Sequence, residues 1–228
     1  MIKPYADRVE ILSDGASYTT EGILLYTSYK VHLCEDIPLA IVGSGPVVAT
    51  DQIAALIRDA SGKTCSVDET LELLSKSLAA IAVSPNRDCG FRIGIAAISE
   101  SGGPISAFFN SFDDGDIAAF TLKLMPTGFG QGYMPKHEAL MGNMANLKGT
   151  KDGLSSDGPW LFEQMRREKN GNPAFPEREP IYNVGGHLDL TIVRQETYQH
   201  ERLLTWPDVI GEPIDPFRTD SALRASAA

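Results

Sequence analysis

Apolar and polar residues follow two different periods along this chain, and the places where the period changes mark out its elements. "DRVEILSD" has a period of two, with Val9 and Ile11 on one face and Leu12 on the other, which predicts a strand. "GILLYTS", "YKVHL" and "LAIVGSG" predict further strands, separated by Gly, Glu-Asp and Pro. The period then becomes helical. One helix is expected from Pro46 or Val47 to about Ala60, with Gly62 stopping it. A second opens at Ser66, which forms a capping box with Glu69. Val67, Leu71, Leu74, Leu78 and Ile81 then recur at spacings of four and three as a single apolar stripe, and Pro85 marks the end.

Period two returns in "FRIGIAAI", "ISAFFNSF" and "IAAFTLKLM", which read as three consecutive strands joined by "SESGGP" and "DDGD". The glycine-rich "PTGFGQGYMP" follows, then two weaker helical segments, "KHEALMGNMANL" and "GPWLFEQMRREK". "NGNPAFPEREP" is an irregular connection. "HLDLTIVR" and "QHERLLTW" are the last strands, and from Pro207 onward an extended or disordered tail is expected. The order is strands, two helices, strands, two helices, strands. It predicts an α+β fold, a four-layer αββα sandwich of two antiparallel sheets flanked by helices. Residues 1–206 would form this single domain and residues 207–228 a Pro/Ala/Ser-rich tail.

Composition narrows the class without naming a function. Hydrophobic residues make up 43% of the 228 and charged residues 22%, ordinary values for a chain with one substantial core. The net charge of −10 argues against a nucleic-acid partner and against an anionic membrane surface, both of which need clustered Lys and Arg. No apolar run is long enough to span a bilayer, and "MIKPYADRVE" lacks the apolar core of a secretion signal, so a cytoplasmic location is expected. The cysteines Cys34, Cys65 and Cys89 are odd in number and far apart, which suits reduced thiols better than a disulfide framework or a zinc site. His32, His137, His187 and His200 show no metal spacing, and His187 beside Leu188 reads as a packed or edge histidine. "GSGPVV" lacks the third glycine of a dinucleotide loop and the Lys-Ser/Thr of a P-loop. No metal and no cofactor are expected.

Candidate chemistry centres on Asp14 and Lys30, sixteen residues apart, with the hairpin-like "TTEGILLYTS" between them. Each has an ordinary explanation: a turn aspartate before Gly15 and a solvated lysine at a strand end. Taken with "GSG" and the element order over residues 8–205, the pair resembles proteasome β-type subunits and their bacterial proteasome-like relatives, which are N-terminal nucleophile (Ntn) hydrolases. The resemblance implies an N-terminal threonine whose own α-amino group is the general base. It also implies that Lys30 lowers local proton affinity, that Asp14 orients Lys30, and that the Gly43-Ser44-Gly45 loop supplies oxyanion N–H groups.

The chain departs from that family at its start. Sixteen residues before Asp14 lies ahead of Met1, and the first Ser, Thr or Cys is Ser13. The expectation is a fold without catalytic residues, with Asp14, Lys30, Gly43, Ser44 and Gly45 lining a vestigial pocket. The resemblance then implies a non-catalytic component that self-associates as a ring or dimer, either alone or within a larger particle, including a phage-derived one. The Pro-rich tail is a candidate to wrap a neighbour. Two alternatives stay open: an active peptidase or amidohydrolase whose Thr, Ser or Cys lies upstream of Met1, and a small-ligand module using the vacated pocket. Cys34 is a further candidate nucleophile.

Overall fold

The computed structural model describes residues 1–82, 90–130, 153–171 and 176–218. The chain opens with strands β1 (Ile2–Pro4) and β2 (Val9–Asp14), the hairpin β3 (Ala16–Tyr18) and β4 (Leu24–Thr27), and then β5 (Val31–Leu33) and β6 (Leu39–Ser44). Helices α1 (Val47–Thr64) and α2 (Val67–Ala82) follow, and after them β7 (Arg92–Ser99), β8 (Gly103–Asn110) and β9 (Lys123–Leu124). Helix α3 (Leu154–Arg166) precedes the closing strands β10 (His187–Val193) and β11 (Tyr198–Thr205).

The strands form a four-stranded sheet in the order β1-β2-β10-β11, a five-stranded sheet in the order β5-β6-β7-β8-β9, and the separate β3-β4 pair, all antiparallel. Alternation along β2 distributes its side chains as the pattern predicts. Val9 and Ile11 pack with Ala40 and Ala96 of the five-stranded sheet, whereas Leu12 packs with Phe162 and Met165 of α3. The opposite face of the five-stranded sheet is covered by α1 and α2, with Ile53, Ile57, Leu74 and Leu78 against Ile41 and Phe109. Pro4 lies in β1 at the border of its sheet, where a missing N–H is tolerated.

Several element ends differ from expectation, each for a physical reason. Helix α1 passes through Gly62 and stops at Cys65, which takes the left-handed φ of 52°. Gly62 gives clearance instead, since a Cβ there would sit 3.2 Å from Asp36 Oδ2. The last turn of α1 is pinned by Thr64, whose hydroxyl lies 2.7 Å from that of Thr70 in α2. The α2 start has the expected bond from Glu69 N–H to Ser66 Oγ at 3.3 Å. The free N–H groups of Val67 and Asp68 donate to the Glu100 carboxylate at 2.8 and 2.9 Å, a cap supplied from a distant turn.

The third strand of the central run shrinks to Lys123–Leu124, because Phe120 adopts a φ of 56° and breaks the extended path. Helix α3 begins one turn before Gly158. Its Leu154 N–H donates to Glu10 Oε2 of β2 at 2.6 Å, so a strand residue caps a helix 144 positions away. Gly158 is there for contact: a Cβ on it would overlap Leu12 Cδ1. The segment "KHEALMGNMANL", His137, Pro85 and Cys89 lie outside the described residues.

Residues 207–218 are irregular, yet they are tied down. Ile214 is buried with Ala16 and Leu24, and Asp208 pairs with Arg166 of α3, both side chains 1% exposed. This stretch therefore folds onto its own body.

Tyr198 joins the two sheets. Its hydroxyl lies 2.9 Å from the Cys34 carbonyl and 2.7 Å from that of Ile37, and it accepts the Leu39 N–H at 3.0 Å. Burial pushes the phenol up to about 12. Tyr198→Phe removes the hydroxyl these groups share and is expected to lower the unfolding free energy by about 1–2 kcal/mol, measured by urea titration. An unchanged midpoint would show that this tie contributes nothing.

Candidate functional site

The β3-β4 hairpin folds back on itself, and Ser28 N–H donates to Gly15 O at 2.9 Å. That closure brings the end of β2 alongside the start of β5 and places Lys30 Nζ 3.0 Å from Asp14 Oδ1. The two side chains are 22% and 18% exposed, so the ion pair is largely withdrawn from water. Asp14 Oδ2 accepts the Ala16 N–H at 3.1 Å and, at a longer 3.4 Å, the Gly185 N–H. The turn aspartate and the ion-pair aspartate are thus the same carboxylate, one oxygen serving each role.

The β5-β6 register pairs Val31 with Val42, so Gly43 follows on β6 across from Lys30, yet no hydrogen bond or ion pair among the described residues links Gly43, Ser44 or Gly45 to Asp14 or Lys30. Their glycines answer to packing. A Cβ at Gly43 would fall 2.5 Å from Thr50 Cβ of α1. Gly45 has a φ of +119° and lies against the backbone of Gly90 and Phe91. Ser44 is exposed and pairs with Arg92 across the β6-β7 ladder. Cys34 is 1% exposed and burial raises its thiol pKa, the opposite of an activated nucleophile. Among the described residues no group of His, Cys, Asp and Glu is arranged to hold a metal ion, and no helix is long and apolar enough to cross a membrane.

Beside the Asp14–Lys30 pair stands a second polar group that sequence reasoning did not assemble. Asp189 of β10 is 1% exposed and accepts Arg202 Nε at 2.9 Å. His187 Nε2 lies 3.0 Å from Asp189 Oδ2, but the ring points off the hydrogen-bonding line, which leaves that buried nitrogen without a bonded partner. A ring N–H bonds only along its own direction, so proximity alone does not make this contact a hydrogen bond. The His187 ring lies flat on Gly15, where a Cβ would overlap Cε1. Tyr29, next to Lys30, reaches the Thr191 hydroxyl at 2.9 Å and meets the His200 ring edge-on. The available signal was "VGGHLD": paired glycines before a strand mark close backbone approach, and an aspartate inside an apolar strand must find a partner.

No family model matches this sequence, and no curated protein matches it. A solved structure does: Anbu (ancestral beta-subunit) from Yersinia bercovieri aligns with a TM-score of 0.61 at 13% sequence identity, over 89% of this chain and 86% of that one. The likeness shows the fold, a proteasome-like Ntn arrangement of antiparallel sheets and helices.

Burial drives the His187 pKa below its ordinary 6.5, with Arg202 acting in the same direction and Asp189 and Asp14 opposing. Below about pH 6.5 the unfolded chain therefore binds more protons at this residue than the folded one. The stability it contributes is complete above that pH and is lost as the pH falls toward the lowered folded value. The urea midpoint is expected to drop between pH 7.5 and pH 5, and to drop less in His187→Gln. Equal drops in both proteins would contradict a buried neutral imidazole.

Proposed function

We propose that this chain is a non-catalytic, proteasome-subunit-like structural component, a single four-layer αββα domain that self-associates. The observation that carries the proposal is the mutual satisfaction of Asp14 and Lys30. The carboxylate divides its two oxygens between an ammonium at 3.0 Å and a turn N–H at 3.1 Å, as a structural pair does. Self-association draws support from the outer helices, where Val48 is 69%, Leu56 56% and Leu73 43% exposed. Apolar groups left on an outer layer are what an interface between subunits uses. The name of the Yersinia protein, a beta-subunit, belongs to a member of an assembly and supports the same role here.

The retained 3.0 Å contact also favours a second function, an active amidohydrolase or peptidase whose nucleophile lies upstream of Met1. The intact mass of the natively expressed protein separates the two, because a first residue at Met1 or Ile2 ends the enzymatic alternative.

The assembly is tested by native mass. The expected result is a discrete multiple of 24.7 kDa that falls to 24.7 kDa in a Val48→Glu, Leu56→Glu double variant with unchanged circular dichroism. A wild-type protein that is monodisperse at 24.7 kDa would overturn it.

A further inference from the structure

We infer that residues 207–218 form a strap that holds the Asp14–Lys30 pair in register from outside, gripping the turn that contacts Asp14 and the hairpin that connects Asp14 to Lys30. The inference rests on reading that pair as structural and adds the device that controls it.

The grip on the turn is built from one guanidinium and one carboxylate, both buried. Arg166 donates to Asp208 through two nitrogens at 2.8 and 2.5 Å, to the Val184 carbonyl at 2.7 Å and to the Asp215 carbonyl at 2.9 Å. A single side chain of α3 thus fastens the strap at two points and the turn at one. Asp208 Oδ2 then accepts the Gly186 N–H at 2.8 Å, so the strap also takes hold of the turn directly. The next residue back, Gly185, donates to Asp14 Oδ2, and its carbonyl accepts the Gly15 N–H at 3.2 Å. Only glycine fits there, because a Cβ on Gly185 would lie 2.7 Å from Asp208 Oδ2.

The grip on the hairpin is backbone to backbone. Leu24 N–H donates to Glu212 O at 2.9 Å, Gly211 N–H to Leu24 O at 2.8 Å and Ile214 N–H to Gly22 O at 3.0 Å. The strap crosses the hairpin through one isolated antiparallel bridge, Ile23 to Pro213, with Ile214 buried against Ala16 and Leu24. The turn on one side and the intervening hairpin on the other set the Asp14 to Lys30 distance, and both are bonded to the strap. When the strap loosens, the pair loosens with it, while the α1-α2 cluster, which includes no strap residue, stays packed.

The test is amine labelling of the full chain with an acylating reagent, read residue by residue by mass spectrometry, with the exposed helical lysines Lys63 and Lys76 as internal references. An amine held in an ion pair acylates slowly. Asp208→Asn weakens the grip on the turn, and Ile214→Ala weakens the grip on the hairpin without touching the ion pair. Each is expected to raise Lys30 labelling about fivefold relative to the references, the change that loss of roughly 1 kcal/mol produces. Ile57→Val, in the α1-α2 cluster, is expected to leave it unchanged. Unaltered Lys30 labelling in either folded strap variant, or an equal rise in Ile57→Val, would overturn the coupling. Labelling reads the pair in monomer and assembly alike, so a failure of self-association would leave this result standing and separately legible.

Discussion

A carboxylate withdrawn from water must meet a cation or several N–H groups, and this requirement organises the β2-β10 half of the molecule. Glu10 meets Arg8 and the first N–H of α3. Asp189 meets Arg202. Asp208 meets Arg166 and the Gly186 N–H. Asp14 meets Lys30 and the Ala16 N–H. Each acid joins a strand or the strap to another element, so together they set where α3, the hairpin and the closing strands lie. The five-stranded half is held chiefly by apolar packing beneath α1 and α2.

Glycines let these charged contacts close. Gly15 leaves room for the His187 ring, Gly158 for Leu12, and Gly185 for Asp208, each at a distance that any side chain would forbid. Those approaches turn separate ion pairs into one connected body running from α3 through the strap to the turn and Asp14.

Local periodicity made much of the fold legible in the sequence. The two faces of β2, the stripe of α2 and the capping bond of Ser66 are each encoded by a spacing of a few residues, and all are where the pattern put them. Partners supplied from a distance were not legible. Glu10 moves the start of α3, Glu100 completes the cap of α2, and Arg166 fastens a segment whose composition suggested a free tail. Phe120 shortened a strand through a backbone angle that its neighbours do not encode. At the candidate site, the sixteen-residue spacing identified Asp14 and Lys30, because a hairpin of that length returns the chain to its start. The same spacing could not reveal that Gly43 makes room for α1 and Gly45 for the Gly90-Phe91 backbone ahead of β7, or that Asp189, His187 and Arg202 stand alongside.

Whether the Asp14–Lys30 pair supports the fold or is kept for chemistry is decided most directly by the unfolding free energy of Lys30→Met. Charged groups held for catalysis are commonly strained, and removing them tends to stabilise a protein. Removing one partner of a structural, largely buried pair leaves an unmet carboxylate and destabilises it. A structural pair predicts a loss of about 1–2 kcal/mol in urea titration at pH 7. Unchanged or increased stability would contradict that role.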